Sequence, residues 1–176
     1  LNNTEYPDPS WATHPILGVL ACPPLTRLNI KELEAKPFLL RTVEATKLGG
    51  KTSWILTPKA NLSWWDGQKI TPAELAKFVT DSLSISQEPR SRWAANATFT
   101  VESRGEQILV NWSQEPAIGP YILNIFPVVK KDTATASGFQ CAGEYRFAKA
   151  PGDYSLQRVA KNPSNAPDFI NIYNYP

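Results

Sequence analysis

Along this chain the apolar positions fall into short alternating runs cut by proline and glycine, not into long helical stripes. Trp54 and Leu56 alternate with Ile55 and Thr57, which predicts a hairpin over Thr52 to Leu62 turning at Pro58-Lys59-Ala60-Asn61. Phe99 and Val101 alternate up to Arg104-Gly105-Glu106, and Ile108, Val110 and Trp112 alternate away from it, a second hairpin. Gly143 to Phe147, Tyr154 to Val159 and Ile170 to Tyr175 read as three further strands, with a turn at Pro151-Gly152-Asp153. A short helix or turn is expected around Thr13 to Leu20, and Pro116 to Val129 reads as a short buried helix followed by a strand.

The strongest local signal is Thr71-Pro72-Ala73-Glu74. Threonine at the N-cap accepts a hydrogen bond from a free backbone N–H, and proline fits the next position, where its missing donor costs nothing. Glutamate then reaches back to the cap. Leu75, Phe78, Val79 and Leu83 follow at helical spacing, so an amphipathic helix starts here. It begins directly after Trp64-Trp65-Asp66-Gly67, where adjacent indoles on an extended chain must point to opposite faces. Trp64 is expected in the core and Trp65 nearer the surface, with Asp66 closing a turn and Gly67 supplying its backbone freedom. Hairpins with few helices give a mixed α/β or α+β class.

Composition narrows the function classes. The chain has 176 residues, 18 Lys and Arg against 16 Asp and Glu, and a net charge of +2. With no basic block longer than Lys130-Lys131, nucleic acid is not an expected partner. The longest apolar runs, Ile16 to Cys22 and Tyr121 to Val129, are far shorter than a membrane span. A chain that begins at Leu1 rather than Met is expected to have been processed or cut. Cys22 and Cys141 are too far apart for a CxxC motif, leaving either one long-range disulfide or two buried thiols.

Catalytic and metal motifs are sparse. Gly49-Gly50-Lys51-Thr52 fails as a phosphate loop because position 45 is alanine rather than glycine. His14 is the only histidine and precedes Pro15, so a turn outweighs catalysis there, and no metal or other cofactor is expected. Asp66 with a second carboxylate would be hydrolytic chemistry only in an open pocket, and a turn-bound Asp66 would end that reading. The Asn-x-Ser/Thr triplets at Asn2, Asn61, Asn96 and Asn111 are read as chance occurrences.

Several segments then fall into a known order. Pro7-Asp8-Pro9 resembles the Leu-Asp-Pro opening of the family 5 extracellular solute-binding proteins, the oligopeptide, dipeptide and nickel receptors of ABC importers. Pro24-Leu25-Thr26-Arg27-Leu28 is similar to that family's Pro-Leu-Thr-Arg segment, and Trp54-Ile55-Leu56 followed by Trp64 to Leu75 resembles its best-known motif. Gly143-Glu144-Tyr145-Arg146-Phe147, Pro151-Gly152-Asp153 and Asn162-Pro163 resemble a later one, although Glu144 stands where proline or alanine is usual. Gly119-Pro120-Tyr121 spells the same family tripeptide at the wrong place and is read as a decoy.

The resemblance implies a periplasmic-binding-protein-like type II lobe with a mixed sheet, hairpins and few helices. Residues 1–176 would form a single N-terminal lobe whose second lobe is absent. It implies a periplasmic or extracellular location, lipid anchoring included, and a non-enzymatic receptor that captures peptides or similar small solutes and delivers them to an ABC transporter permease. By the same resemblance Trp11, Thr13, His14 and Trp93 lie at the ligand cleft, while Trp64, Asp66, Gly67, Thr71 and Glu74 form a structural motif. The rival expectation is a stand-alone lobe serving as a scaffold, sensor or protein-interaction module.

Overall fold

In the computed structural model the described residues are 19–29, 31–32, 34–86, 97–134, 138–147, 155–159 and 167–171. They form two compact units. One, the sheet unit, comprises Pro24–Leu62 and Ile70–Phe126; the other, the disulfide unit, comprises Leu1–Pro23, Ser63–Lys69 and Pro127–Pro176.

The sheet unit contains β1 (Thr26–Asn29), β2 (Glu34–Pro37), β3 (Leu40–Leu48), β4 (Lys51–Pro58), α1 (Pro72–Ser86), β5 (Phe99–Arg104), β6 (Gln107–Trp112) and a 3₁₀ helix, Gly119–Asn124. Its main sheet has the order β3-β4-β6-β5, with every neighbouring pair antiparallel. The strand around Trp54 forms as expected, but its hairpin partner lies upstream. β4 pairs with β3 across Gly49 and Gly50, both at positive φ (57° and 79°), and not with a strand after Pro58. That glycine pair makes a tight hairpin turn whose handedness matches strand twist. The β5–β6 hairpin forms as predicted, with Phe99 opposite Trp112 and Arg104 opposite Gln107.

One face of this sheet is apolar because Trp54 and Leu56 on β4 lie opposite Val110 and Ile108 on β6. These four and Trp112 have no solvent exposure. The two indoles tilt against each other at 4.9 Å, and Phe99 adds a third ring 5.3 Å from Trp112. Trp54 Nε1 donates to Glu115 Oε1 at 2.7 Å, so this fully buried indole keeps a partner. α1 packs on β5 and β6 and buries Leu75, Val79 and Leu83. The opposite face carries a polar row in which Ser53 Oγ donates to Asn111 Oδ1 (2.7 Å) and Asn111 Nδ2 donates to Thr100 Oγ1 (3.4 Å). Gly119-Pro120-Tyr121 opens the 3₁₀ helix rather than a strand, which agrees with its reading as a decoy.

The disulfide unit contains β7 (Val129–Lys131), β8 (Phe139–Cys141), β9 (Tyr145–Phe147), β10 (Ser155–Arg158) and β11 (Phe169–Asn171). β7 pairs with β8, and β9, β10 and β11 lie in the order β11-β10-β9; β9 and β10 fall within two of the expected strands, while of the third only Ile170 and Asn171 belong to the described residues. Cys22 and Cys141 are joined, which resolves the open choice in favour of a disulfide. The bond sits in a small core with Ala21, Phe139, Tyr145 and Leu156. In the chain-entropy description, closing a loop of 119 residues contributes about 5 kcal/mol. Val128 N–H donates to Pro23 O at 3.0 Å beside it.

Gly143 shows how closely the chain approaches itself here. Its φ is ordinary, so any residue suits the backbone, but a Cβ would run into the carbonyl oxygen of Ala21 and come within 2.6 Å of that of Leu20. Neither obstacle is a flexible side-chain tip that could move away. Gly143→Ala is expected to lower the unfolding free energy by about 1–3 kcal/mol, as overpacking does. Urea denaturation with an unchanged midpoint would refute the close approach.

Candidate functional site

The chain leaves the sheet unit at Leu62 and re-enters it at Ile70, whose N–H donates to Leu62 O at 2.9 Å. Between them, Ser63 bridges Lys69, Trp64 N–H donates to Gln68 O, and Gly67 N–H returns to Trp64 O, both at 2.9 Å. The result is a turn centred on Trp65 and Asp66, followed by Gly67 at φ 84°. A three-residue hairpin loop needs that geometry, and glycine supplies the left-handed position without a Cβ penalty. Asp66 Oδ1 closes the turn by accepting from Gln68 N–H at 2.8 Å.

Distant segments lock the turn in place. Gln140, 4 % exposed, presents its whole amide: Oε1 accepts from Asp66 N–H at 2.9 Å, while Nε2 donates to Asp66 Oδ2 at 2.9 Å and to Asp132 Oδ2 at 2.5 Å. Lys130 Nζ lies 3.8 Å from Asp66 Oδ2, 3.4 Å from Gln68 Oε1 and 4.9 Å from the centre of the Trp64 ring. Asp132 is held below the usual carboxylate range by the Gln140 hydrogen bond first and by the Ala134 N–H second. A second acid therefore does stand near Asp66, but the amide between them occupies both carboxylates, and Asp66 is bound into its own turn. This arrangement fixes a loop. Among the described residues no group of three or more His, Cys, Asp or Glu side chains could hold a metal ion.

The tryptophans separate as the alternation requires. Trp64 is 3 % exposed and carries Lys130 over its ring. Trp65 is the more exposed of the two, yet it is half-buried, tilted against Phe139 at 5.7 Å and packed on the disulfide core. The expected order, Trp64 in the core and Trp65 nearer the surface, holds, and Phe139, far along the chain, supplies Trp65 with a surface that the local sequence does not announce. Just beyond, the cap forms as predicted. Glu74 N–H donates to Thr71 Oγ1 at 3.2 Å, and Glu74 Oε2 accepts from Thr71 N–H at 2.8 Å.

Trp11, Thr13, His14 and Trp93, the residues assigned to ligand binding, lie outside the described residues. The motif residues Trp64, Asp66 and Gly67 are brought together with Lys130, Asp132 and Gln140, which the sequence reading missed. No linear signal marks them, since Gln140 is 74 residues from Asp66.

Two measurements test this geometry. Trp64→Ala is expected to cost about 3–5 kcal/mol and Trp65→Ala less, though still above about 1 kcal/mol, by thermal or chemical unfolding. Gln140→Ala should cost about 1–3 kcal/mol by stranding the Asp66 N–H and the two carboxylates. It should also change the acid limb. A depressed carboxylate stabilises the fold above its unfolded value of about 3.9, and that contribution is lost as pH falls through the lower folded value. The native chain should therefore lose stability below about pH 5 more steeply than Gln140→Ala, the two changing alike between neutral pH and that point. Parallel slopes would show that the amide does not hold Asp132.

No protein-family model and no curated protein sequence matches the chain. Solved structures do match in fold. The oligopeptide-binding protein AppA of Bacillus subtilis, in complex with a nonapeptide, aligns with a TM-score of 0.61 at 16% identity, covering 81% of this chain and 31% of its own. NikA from Staphylococcus aureus, in complex with Ni(L-His)2, aligns at 0.56 with 17% identity, covering 81% and 31%. A periplasmic oligopeptide-binding protein of an oligopeptide ABC transporter from Thermotoga maritima, bound to mannohexaose, aligns at 0.58 with 16% identity, covering 86% and 30%. The structural neighbours are family 5 solute-binding proteins, and this chain shares their fold over a stretch equal to about a third of their length.

Proposed function

We propose that the chain is the solute-binding lobe of an extracytoplasmic receptor serving an ABC importer, one of two lobes that close on a peptide or similar small solute and perform no chemistry on it. The observation that carries this reading is the shared fold, which extends over more than four-fifths of the chain and joins it to peptide- and nickel-binding proteins. The neighbours' bound molecules, a nonapeptide, a nickel–histidine complex and mannohexaose, have little chemistry in common. A cleft that tolerates such variety works by enclosure, with mostly apolar walls and a few placed polar groups. Trp11 and Trp93 suit the walls, and Thr13 and His14 suit the polar contacts.

The buried disulfide supports an extracytoplasmic location, because such bonds persist in oxidising compartments. Half a cleft does not enclose a ligand, so the reading includes a second lobe and, beyond it, a permease as partners.

In a two-lobed parent, Trp11→Ala and Trp93→Ala should each weaken peptide binding by roughly tenfold or more, the scale of a lost aromatic anchor, with the melting temperature unchanged. Calorimetric titration with defined peptides measures this. Unchanged affinity in both variants removes the site assignment. A parent that binds neither peptides, nickel–histidine complexes nor oligosaccharides removes the receptor reading.

A further inference from the structure

The chain's two cysteines lie in one of its two units, and that unit is the one least able to close without them. The sheet unit combines two local hairpins and a capped helix, and the long-range pairing of β4 with β6 joins them without a cysteine. Its β3–β4 and β5–β6 hairpins turn within two residues, and its helix carries its own capping box. Its fully buried side chains, Trp54, Leu56, Leu83, Ile108 and Trp112 among them, form a cysteine-free core.

The disulfide unit is gathered from three separated stretches of chain. In its core cluster of Ala21, Cys22, Phe139, Cys141, Tyr145 and Leu156, the cystine supplies two of the six buried residues. It is also the covalent tie between the stretch that ends at Pro23 and the stretch that begins at Pro127. The other described ties between those stretches are of a different kind: the Val128–Pro23 hydrogen bond, the contacts within the core, and the close approach of Gly143 to Ala21. Each of these needs the two stretches to be already in place, because a long loop must be closed before short-range contacts reward it.

We propose that the disulfide unit folds only once Cys22 and Cys141 have been oxidised, and that the sheet unit folds in either redox state. The partner this requires is a disulfide-bearing oxidant, a protein or small molecule. One cysteine thiolate attacks the oxidant's disulfide to give a mixed disulfide and releases one oxidant thiol. The second thiolate then displaces the remaining oxidant sulfur and closes the cystine. Overall, the two cysteine thiols give up two electrons and two protons, and the oxidant disulfide becomes two thiols. Exchange has to come before closure, since the finished bond leaves Cys22 at 2 % and Cys141 at 0 % exposure. The same burial makes the oxidised unit resistant to reduction. Under the solute-binding reading, on which this one consequence rests, the chain would be unable to complete its half of the cleft in a reducing compartment.

Hydrogen exchange on the full chain, without any solute, tests the proposal independently of the receptor reading. In the oxidised chain the amides of Asp132, Ala142, Arg158 and Val159, all hydrogen-bonded within the disulfide unit, should be protected. After reduction with a phosphine under mild denaturant, followed by its removal, those amides should lose about 100-fold or more of their protection. The strands β4 and β6 should change by less than about threefold. A Cys22→Ala, Cys141→Ala chain should behave as the reduced one. Equal protection in the oxidised and reduced chains would overturn the proposal, and so would loss of protection in both units together.

Discussion

A compact unit drawn from stretches of chain that are far apart in sequence has to be closed by contacts that span those stretches. In the disulfide unit two side-chain devices do this. The Cys22–Cys141 bond ties the beginning of the unit to its middle, and the Gln140 amide ties the Trp64–Gln68 turn to β8 and to Asp132. They lie next to each other in the chain, at positions 140 and 141 on β8, and adjacent residues on a strand point to opposite faces. One short strand therefore presents a covalent tie on one face and a polar clamp on the other. Both residues are buried because each has work on its own side.

The polar clamp explains why a hydrophilic side chain is tolerated at such depth. Burying an amide costs several kcal/mol unless its donors and acceptor are satisfied. Gln140 accepts from one backbone N–H and donates to two carboxylates, which are themselves accepting from backbone N–H groups of Gln68 and Ala134. Lys130, 3.8 Å from Asp66 Oδ2, adds a positive charge beside the two carboxylates and, after the Gln140 and Ala134 hydrogen bonds, helps to hold Asp132 ionised. Asp66, which the sequence alone leaves open as half of a carboxylate pair, is thus one part of a turn lock.

What could be read from the sequence follows the range of the interactions. The helix start at Thr71, the turn at Gly67 and the β5–β6 hairpin depend on residues within a few positions of each other, and all three form as read. The β3–β4 hairpin is just as local, yet the alternation around Trp54 points to a partner after Pro58, whereas β4 pairs upstream with β3. Gly49-Gly50 carries that turn at positive φ, a property that its comparison with a phosphate loop does not express. The half-burial of Trp65, the role of Gln140 and the state of the two cysteines depend on partners tens of residues away, and no periodicity carries that information. Four residues of the candidate ligand site, Trp11, Thr13, His14 and Trp93, came from resemblance alone, and the described residues neither add to nor subtract from them.

These differences in range bear on where function can reside. A ligand-binding side chain needs polar atoms or ring faces not already committed to the fold. Trp64 lies beneath Lys130, Trp65 is packed on Phe139, Asp66 is engaged through both oxygens, and Thr71 and Glu74 satisfy each other. The polar atoms and rings of this segment are thus taken up by contacts within the fold. Its part is structural: the turn and the helix cap each hold their own stretch of backbone in place. The fold is shared with structures that hold a peptide, a nickel complex or a sugar, so the scaffold by itself does not choose a solute.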